Sequence, residues 1–146
     1  MTQILVVGDQ FSTELCFTQA DVVAFAQISG DANPLHLDAD FAAQTVFKRP
    51  IMHGLLSASV FSRVLGMAFP GPGTVYLSQS LEFKAPMYVD TLYTAHFVIR
   101  SIQKFRATIE TWIEDAGGKV TLSGQAVVLN RARLREQKKG EESVVV

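Results

Sequence analysis

The stretch HGLLSASVFSRVLGMAF, from His53 to Phe69, constrains the fold more than any other part of the chain. Leu55, Leu56, Ala58, Val60, Phe61, Val64 and Leu65 cover most of the circumference of a helix. Only Ser57, Ser59, Ser62 and Arg63 interrupt it. A helix that is apolar nearly all round has to be enclosed by other elements. PGPG, from Pro70 to Gly73, then breaks the chain, and the apolar period changes to two. In VYLSQSLEFK, Val75, Leu77, Leu81 and Phe83 share a face; in YTAHFVI, Tyr93, Ala95, Phe97 and Ile99 do the same. RATIETWIED and KVTLSGQAVVLN follow, joined by an AGG turn of hairpin type, and FSTELCF supplies a strand near the N-terminus. A sheet with one apolar face can cover such a helix. The pattern predicts an α+β fold, with an antiparallel sheet of about five strands wrapped around one buried central helix.

Ahead of that helix, Thr18 and Asp21 make a capping box, and Val22, Phe25, Ala26 and Ile28 recur at near-helical spacing. A short helix is expected over Gln19–Ser29, ended by Gly30. Asp38 or Asp40 can cap a second one carrying Phe41, Ala42 and Val46. At 146 residues, without internal repeats, the chain fits one domain over residues 1–131. RARLREQKKGEESVVV then reads as a charged tail, disordered over 132–146.

Composition narrows the function classes. The chain is 48% hydrophobic and only 18% charged, which calls for a deep apolar ligand site or a large subunit interface. A small sheet leaves unpaired edges, so a symmetric homodimer is expected. A net charge of −1 gives no whole-domain footprint for nucleic acid. No apolar run approaches the ~20 residues of a membrane span. Met1–Val7 is too short for a secretory signal and lacks a cationic flank. A cytoplasmic protein is therefore expected. Cys16, the single cysteine, excludes an intrachain disulfide and reads as a small buried hydrophobe. His96 alternates with the apolar face of its strand and is expected to be exposed.

Against this apolar background, GDANPLHLD gathers Asp31, Asn33, His36 and Asp38 around Pro34. A surface turn would use the same residue types. Pro34 is expected to prevent a helix, and a loop bent at Asn33-Pro34 could bring Asp31 and His36 into one small volume. A carboxylate beside an imidazole is an acid–base pair. Asn33 could hold the loop by bonding to backbone, and Asp38 could cap the next helix or orient His36. Gly54 begins the apolar helix, where amides lack partners and the dipole favours negative charge. Without a Cβ, it lets a ligand oxygen approach. An acid–base pair near an oxyanion donor suits chemistry beside a thioester carbonyl. His53 reads as a helix-start residue outside the catalytic set. A metal site from Asp31, His36, Asp38 and His53 matches no familiar spacing, and no metal or other cofactor is expected.

SGDANPLHLDADFA followed by FKRPIMHGLL resembles the hydratase-2 motif of the MaoC-like (R)-specific enoyl-CoA hydratases, single hot-dog-fold proteins. The resemblance runs from about Phe17 to Leu129 and includes FSRVLG and SGQAVV, although MYVD at Met87–Asp90 lacks the family's glycine. It implies a hydro-lyase of fatty acid metabolism, adding water reversibly and syn to trans-2-enoyl-CoA to give (R)-3-hydroxyacyl-CoA. Such an enzyme would link β-oxidation intermediates to polyhydroxyalkanoate monomer supply. It also implies Asp31 and His36 as the catalytic pair, Gly54 as oxyanion donor and Asn33 as loop support. Ser62, Leu65 and Val127 would line the acyl pocket, and the bulk of Leu65 and Val127 would favour short to medium chains. Lys48, Arg49, Arg63 and Lys84 could meet the CoA phosphates or be solvated surface charges. The implied assembly is a homodimer. Two alternatives share these residues: dehydration of (R)-3-hydroxyacyl groups on acyl carrier protein, and a non-catalytic module that binds acyl thioesters.

Overall fold

In the computed structural model, which describes residues 3–138, the chain opens with β1 (Gln10–Leu15) and α1 (Gln19–Ser29). The capping box forms as expected. Thr18 Oγ1 accepts from the Asp21 amide at 3.2 Å, and the Thr18 amide donates to the Asp21 carboxylate at 2.8 Å. Gly30 ends α1 in the left-handed region, at φ 79°. Two short helices follow, α2 (Pro34–Leu37) and α3 (Ala39–Ala43), then the long α4 (Gly54–Met67). The expectation that Pro34 prevents a helix is corrected. Pro34 occupies the first position of α2, where its missing N–H costs nothing and its fixed φ already suits a helix.

After α4 come β2 (Val75–Gln79), β3 (Glu82–Phe83), β4 (Tyr93–Gln103), β5 (Arg106–Glu114) and β6 (Val120–Leu129). They form one antiparallel sheet in the order β1-β4-β5-β6-β2, with β3 also pairing β6, so six strands stand where about five were expected. Phe61, Val64 and Leu65 of α4 share a core with Phe97, Ile99, Ile109, Ile113, Leu122 and Val128 of the sheet. The Phe61 and Phe97 rings meet edge to face at 5.8 Å. Each such side chain removed from water contributes ~1.5–3 kcal/mol, which is why the helix sits inside the sheet's curve.

The helix is not enclosed on every side, however. Leu55 and Met67 are exposed. VYLSQSLEFK is split rather than one strand: the register shifts between Tyr76 and Ser78, and the chain turns at Ser80 and Leu81 before β3. Val75, Leu77 and Phe83 lie exposed along this edge, because no described element covers it. Cys16 is exposed, contrary to expectation. His96 is half-buried, bonded to Ser12 Oγ at 2.8 Å and to Glu114 at 2.8 Å.

The tail expectation also needs revision over its first residues. Asn130 Oδ1 accepts the amides of Ala132 and Arg133, forming a turn that carries Leu134 into the core at 0% exposure. Leu134 pairs with Leu5 in a parallel bridge, and Arg133 donates to the Pro70 carbonyl at 2.9 Å. One apolar residue in a charged segment is enough to dock it. Residues 139–146 of the expected tail lie outside the described residues.

Candidate active site

The polar loop is built by local capping. Asp31 Oδ1 accepts the Asn33 amide at 3.2 Å, and Asn33 Oδ1 accepts the Leu35 amide at 3.0 Å, so Asn33 caps α2. Asp38 caps α3, accepting the amides of Asp40 and Phe41, and is thereby committed away from His36. One turn of α2 then carries His36 inward to 8% exposure while Asp31 stays exposed at the loop's rim. Gln19 Nε2 donates to the His36 carbonyl at 3.2 Å, tying α2 to α1.

His36 Nδ1 lies 2.7 Å from the Ile51 carbonyl oxygen. A carbonyl only accepts, so Nδ1 carries the hydrogen, and in the neutral ring Nε2 keeps its lone pair for a proton. Gly54 is the first residue of α4, so its amide has no intrahelical acceptor. Asp31, His36 and Gly54 line one cavity of about 720 Å³, within the ~300–1,000 Å³ range of small-molecule sites. Its walls are largely apolar, with Phe25, Met52, Met87 and Leu122 among them, and Lys84 also lines it. The Phe83 ring packs onto Gly54 so closely that a Cβ there would lie 2.5 Å from it. A methyl here would have to displace the exposed Phe83 ring from the cavity wall.

The expected acyl-binding set is not brought to this cavity. Ser62 is exposed on α4, and Leu65 is a core residue at 1% exposure. Val127 faces away from α4. Its neighbours Ala126 and Val128, both at 0% exposure, point into the core, and successive strand side chains alternate between faces. The residue of this pair that faces the helix is Val128, so Val127 does not stand across from Leu65 as expected. Arg49 lies over the Tyr88 ring at 3.6 Å.

His53 is the residue the sequence reading left out. It is 2% exposed, lines the cavity, donates from Nε2 to the Asp31 carbonyl at 2.9 Å, and stacks on His36 with 3.9 Å between ring centroids. The available signal was its place directly before Gly54. Among the described residues, Asp31, His36 and His53 are the group that can present ligand atoms to a metal, one from each lying within 4.8 Å of the others.

The chain is 46% identical over 128 residues to an (R)-specific enoyl-CoA hydratase of Aeromonas caviae, spanning 86% of this chain and 96% of that protein. It is 41% identical over 128 residues to an (R)-specific enoyl-CoA hydratase of Rhodospirillum rubrum, spanning 86% and 88%. The solved structure of the (R)-hydratase from A. caviae involved in PHA biosynthesis matches with a TM-score of 0.83, covering 86% of this chain and 96% of that one. Antiparallel sheet, enclosed helix and capped polar loop agree with these likenesses in placing the fold as α+β hot-dog. The model of the MaoC like domain matches residues 6–116, and the chain belongs to that family.

Proposed function

We propose that the protein is an (R)-specific enoyl-CoA hydratase, adding water reversibly and syn to a trans-2-enoyl-CoA to give the (R)-3-hydroxyacyl-CoA. The observation that carries this reading is that Asp31, Gly54 and His36, whose Nε2 is left free by the Nδ1 bond to Ile51, line one largely apolar cavity. Asp31 offers an oxygen, and His36 a ring nitrogen, within 4.8 Å of each other. That spacing suits one bridging water. The water oxygen attacks C3 while the pair takes one of its protons. The pair then returns a proton to C2 on the same face and ends in its starting protonation state, acting as one coupled unit. The Gly54 amide stabilises the enolate charge that develops on the thioester oxygen. Apolar walls exclude bulk water and strengthen that interaction.

The active form is a homodimer joined along the edge where Val75, Leu77, Phe83 and Leu55 stand exposed. Unpaired strand edges bordered by apolar side chains are a template for pairing with another chain. Light scattering is expected to give twice the 16.0 kDa of one chain; a stable monomer would remove this part of the reading. The enzyme acts in the cytoplasm. It supplies (R)-3-hydroxyacyl-CoA monomers for polyhydroxyalkanoate, a reading supported by the likeness to the A. caviae hydratase described as involved in PHA biosynthesis. No described helix is long and apolar enough to cross a membrane.

The test is hydration of crotonyl-CoA after dialysis against a chelator, with chiral analysis of the product. Formation of (R)-3-hydroxybutyryl-CoA at an undiminished rate is expected. Turnover confined to carrier-protein thioesters would move the activity to the carrier-bound pathway, and no turnover of either would leave a binding module.

A further inference from the structure

His53 makes contacts that neither helix capping nor core packing explains. It stands at the N-cap of α4, yet its side chain makes no capping bond. Instead the ring reaches back across 22 residues to the Asp31 carbonyl, with 2.9 Å between Nε2 and oxygen. A carbonyl only accepts, so the hydrogen is on Nε2, and in the neutral ring Nδ1 is left with a lone pair. That Nδ1 is buried and has no partner among the described residues. A buried polar atom without a partner costs stability, and an apolar ring of similar size would avoid the cost. The same imidazole is packed on both sides, against His36 at 3.9 Å and Phe25 at 4.8 Å between centroids. Its chain neighbour is Gly54. One residue thus touches the backbone of the carboxylate, the face of the imidazole and the start of the helix that offers the amide.

We propose that His53 is a positioning residue: its Nε2–H···O=C bond to Asp31 and its stack on His36 fix the spacing of the acid–base pair relative to the Gly54 amide. Its free nitrogen is buried, so it acts through the pair rather than by a polar contact of its own with substrate. Small errors in such spacing are costly, because displacements of about 1 Å at reacting groups lower rates by ~10²-fold. The proposal rests on the hydratase reading for its kinetic consequence but not for its geometry.

The experiment separates the two. His53→Phe keeps a ring against His36 and removes both the bond to Asp31 and the orphaned nitrogen. It is expected to keep or raise the thermal midpoint while lowering kcat for crotonyl-CoA by at least ~10-fold, with KM changed less than ~3-fold. His53→Gln places an amide donor where Nε2 stood and is expected to recover part of that loss. A residue with only a structural role would give the opposite pattern, a lower midpoint with wild-type kcat, and that result would overturn the proposal. Long-range imidazole ¹H–¹⁵N spectra of the wild-type protein supply a readout independent of activity. They are expected to show His53 as the Nε2–H tautomer and His36 as the Nδ1–H tautomer. His53 carrying its hydrogen on Nδ1 would overturn the inference even in an active enzyme. An inactive wild type with the expected tautomers would sink the hydratase reading and leave the bridging geometry standing.

Discussion

Asp31→Ala and His36→Ala are each expected to lower kcat for crotonyl-CoA hydration by at least ~10²-fold, the usual scale for removing a positioned acid or base. The two variants should differ in stability. Asp31 is exposed and its side chain bonds to the Asn33 amide only, so its loss should cost well under ~1.5 kcal/mol. His36 is buried, donates to the Ile51 carbonyl and supports the His53 ring. Its truncation takes the donor from the half-buried Ile51 carbonyl and the support from the His53 ring, at ~1–3 kcal/mol. Asp31→Asn is the cleaner probe, because the amide oxygen can still accept from Asn33 while the proton-accepting charge is gone. A double variant should be little worse than either single one if the two act as a unit. Near-wild-type turnover in Asp31→Asn would remove Asp31 from the mechanism.

Gly124→Ala is expected to be strongly destabilising, its Cβ meeting the shortest contact among the described glycines. A Cβ on Gly124 would stand 1.8 Å from the Ser80 carbonyl oxygen and 2.7 Å from its carbon. Both are backbone atoms, in a segment pinned to β6 by two bonds. The Ser80 amide donates to the Gln125 carbonyl at 2.9 Å, and the Gln125 amide donates to Ser80 Oγ at 2.9 Å. Gln79 Nε2 donates to Thr111 Oγ1 at 3.0 Å, and Gln79 Oε1 accepts from the Tyr76 hydroxyl. Burial pushes that phenol up to about 12, so it remains a donor at physiological pH. Room for the methyl requires lifting the β2–β3 link off the sheet. We expect a loss of about 3 kcal/mol or more and a midpoint lower by ~6–12 °C, measured by thermal unfolding. Gly54→Ala is the contrasting case. Its Cβ meets the ring of Phe83, an exposed side chain that can rotate away, so its effect should fall on activity more than on stability. Equal midpoints for Gly124→Ala and wild type would mean that the β2–β3 crossing is not as described.

Much of this was legible in the sequence because it is written in short-range pattern. The Thr18–Asp21 box and Gly30 fixed α1 at both ends, since capping is decided within four residues of a terminus. The change of apolar period from helical to two placed the central helix and the main strands. Asp31, Asn33, His36 and Gly54 could be singled out because capping residues and a lone histidine stand out in an apolar chain. The fold class followed from there being one face to cover and one helix to cover it with. These are properties of the chain taken a few residues at a time.

Tertiary structure decided what depends on which surfaces meet. Val127 and Val128 are equivalent in the sequence, and a one-residue difference in strand parity sends one into the core and the other to the far face. The edge strand VYLSQSLEFK has the alternation of a half-buried strand, but no described element lies against its apolar side chains. Leu134 looks like part of a polar tail until Asn130 folds a turn beneath it and Leu5 pairs with it. Pro34 was read as a breaker because its ring bars the interior of a helix, and only its place at the first turn makes it a starter. His53 lies far along the chain from both Asp31 and His36, so no periodicity relates them. Their contact exists because α4 begins beneath the loop, and packing, not local propensity, set where that helix begins.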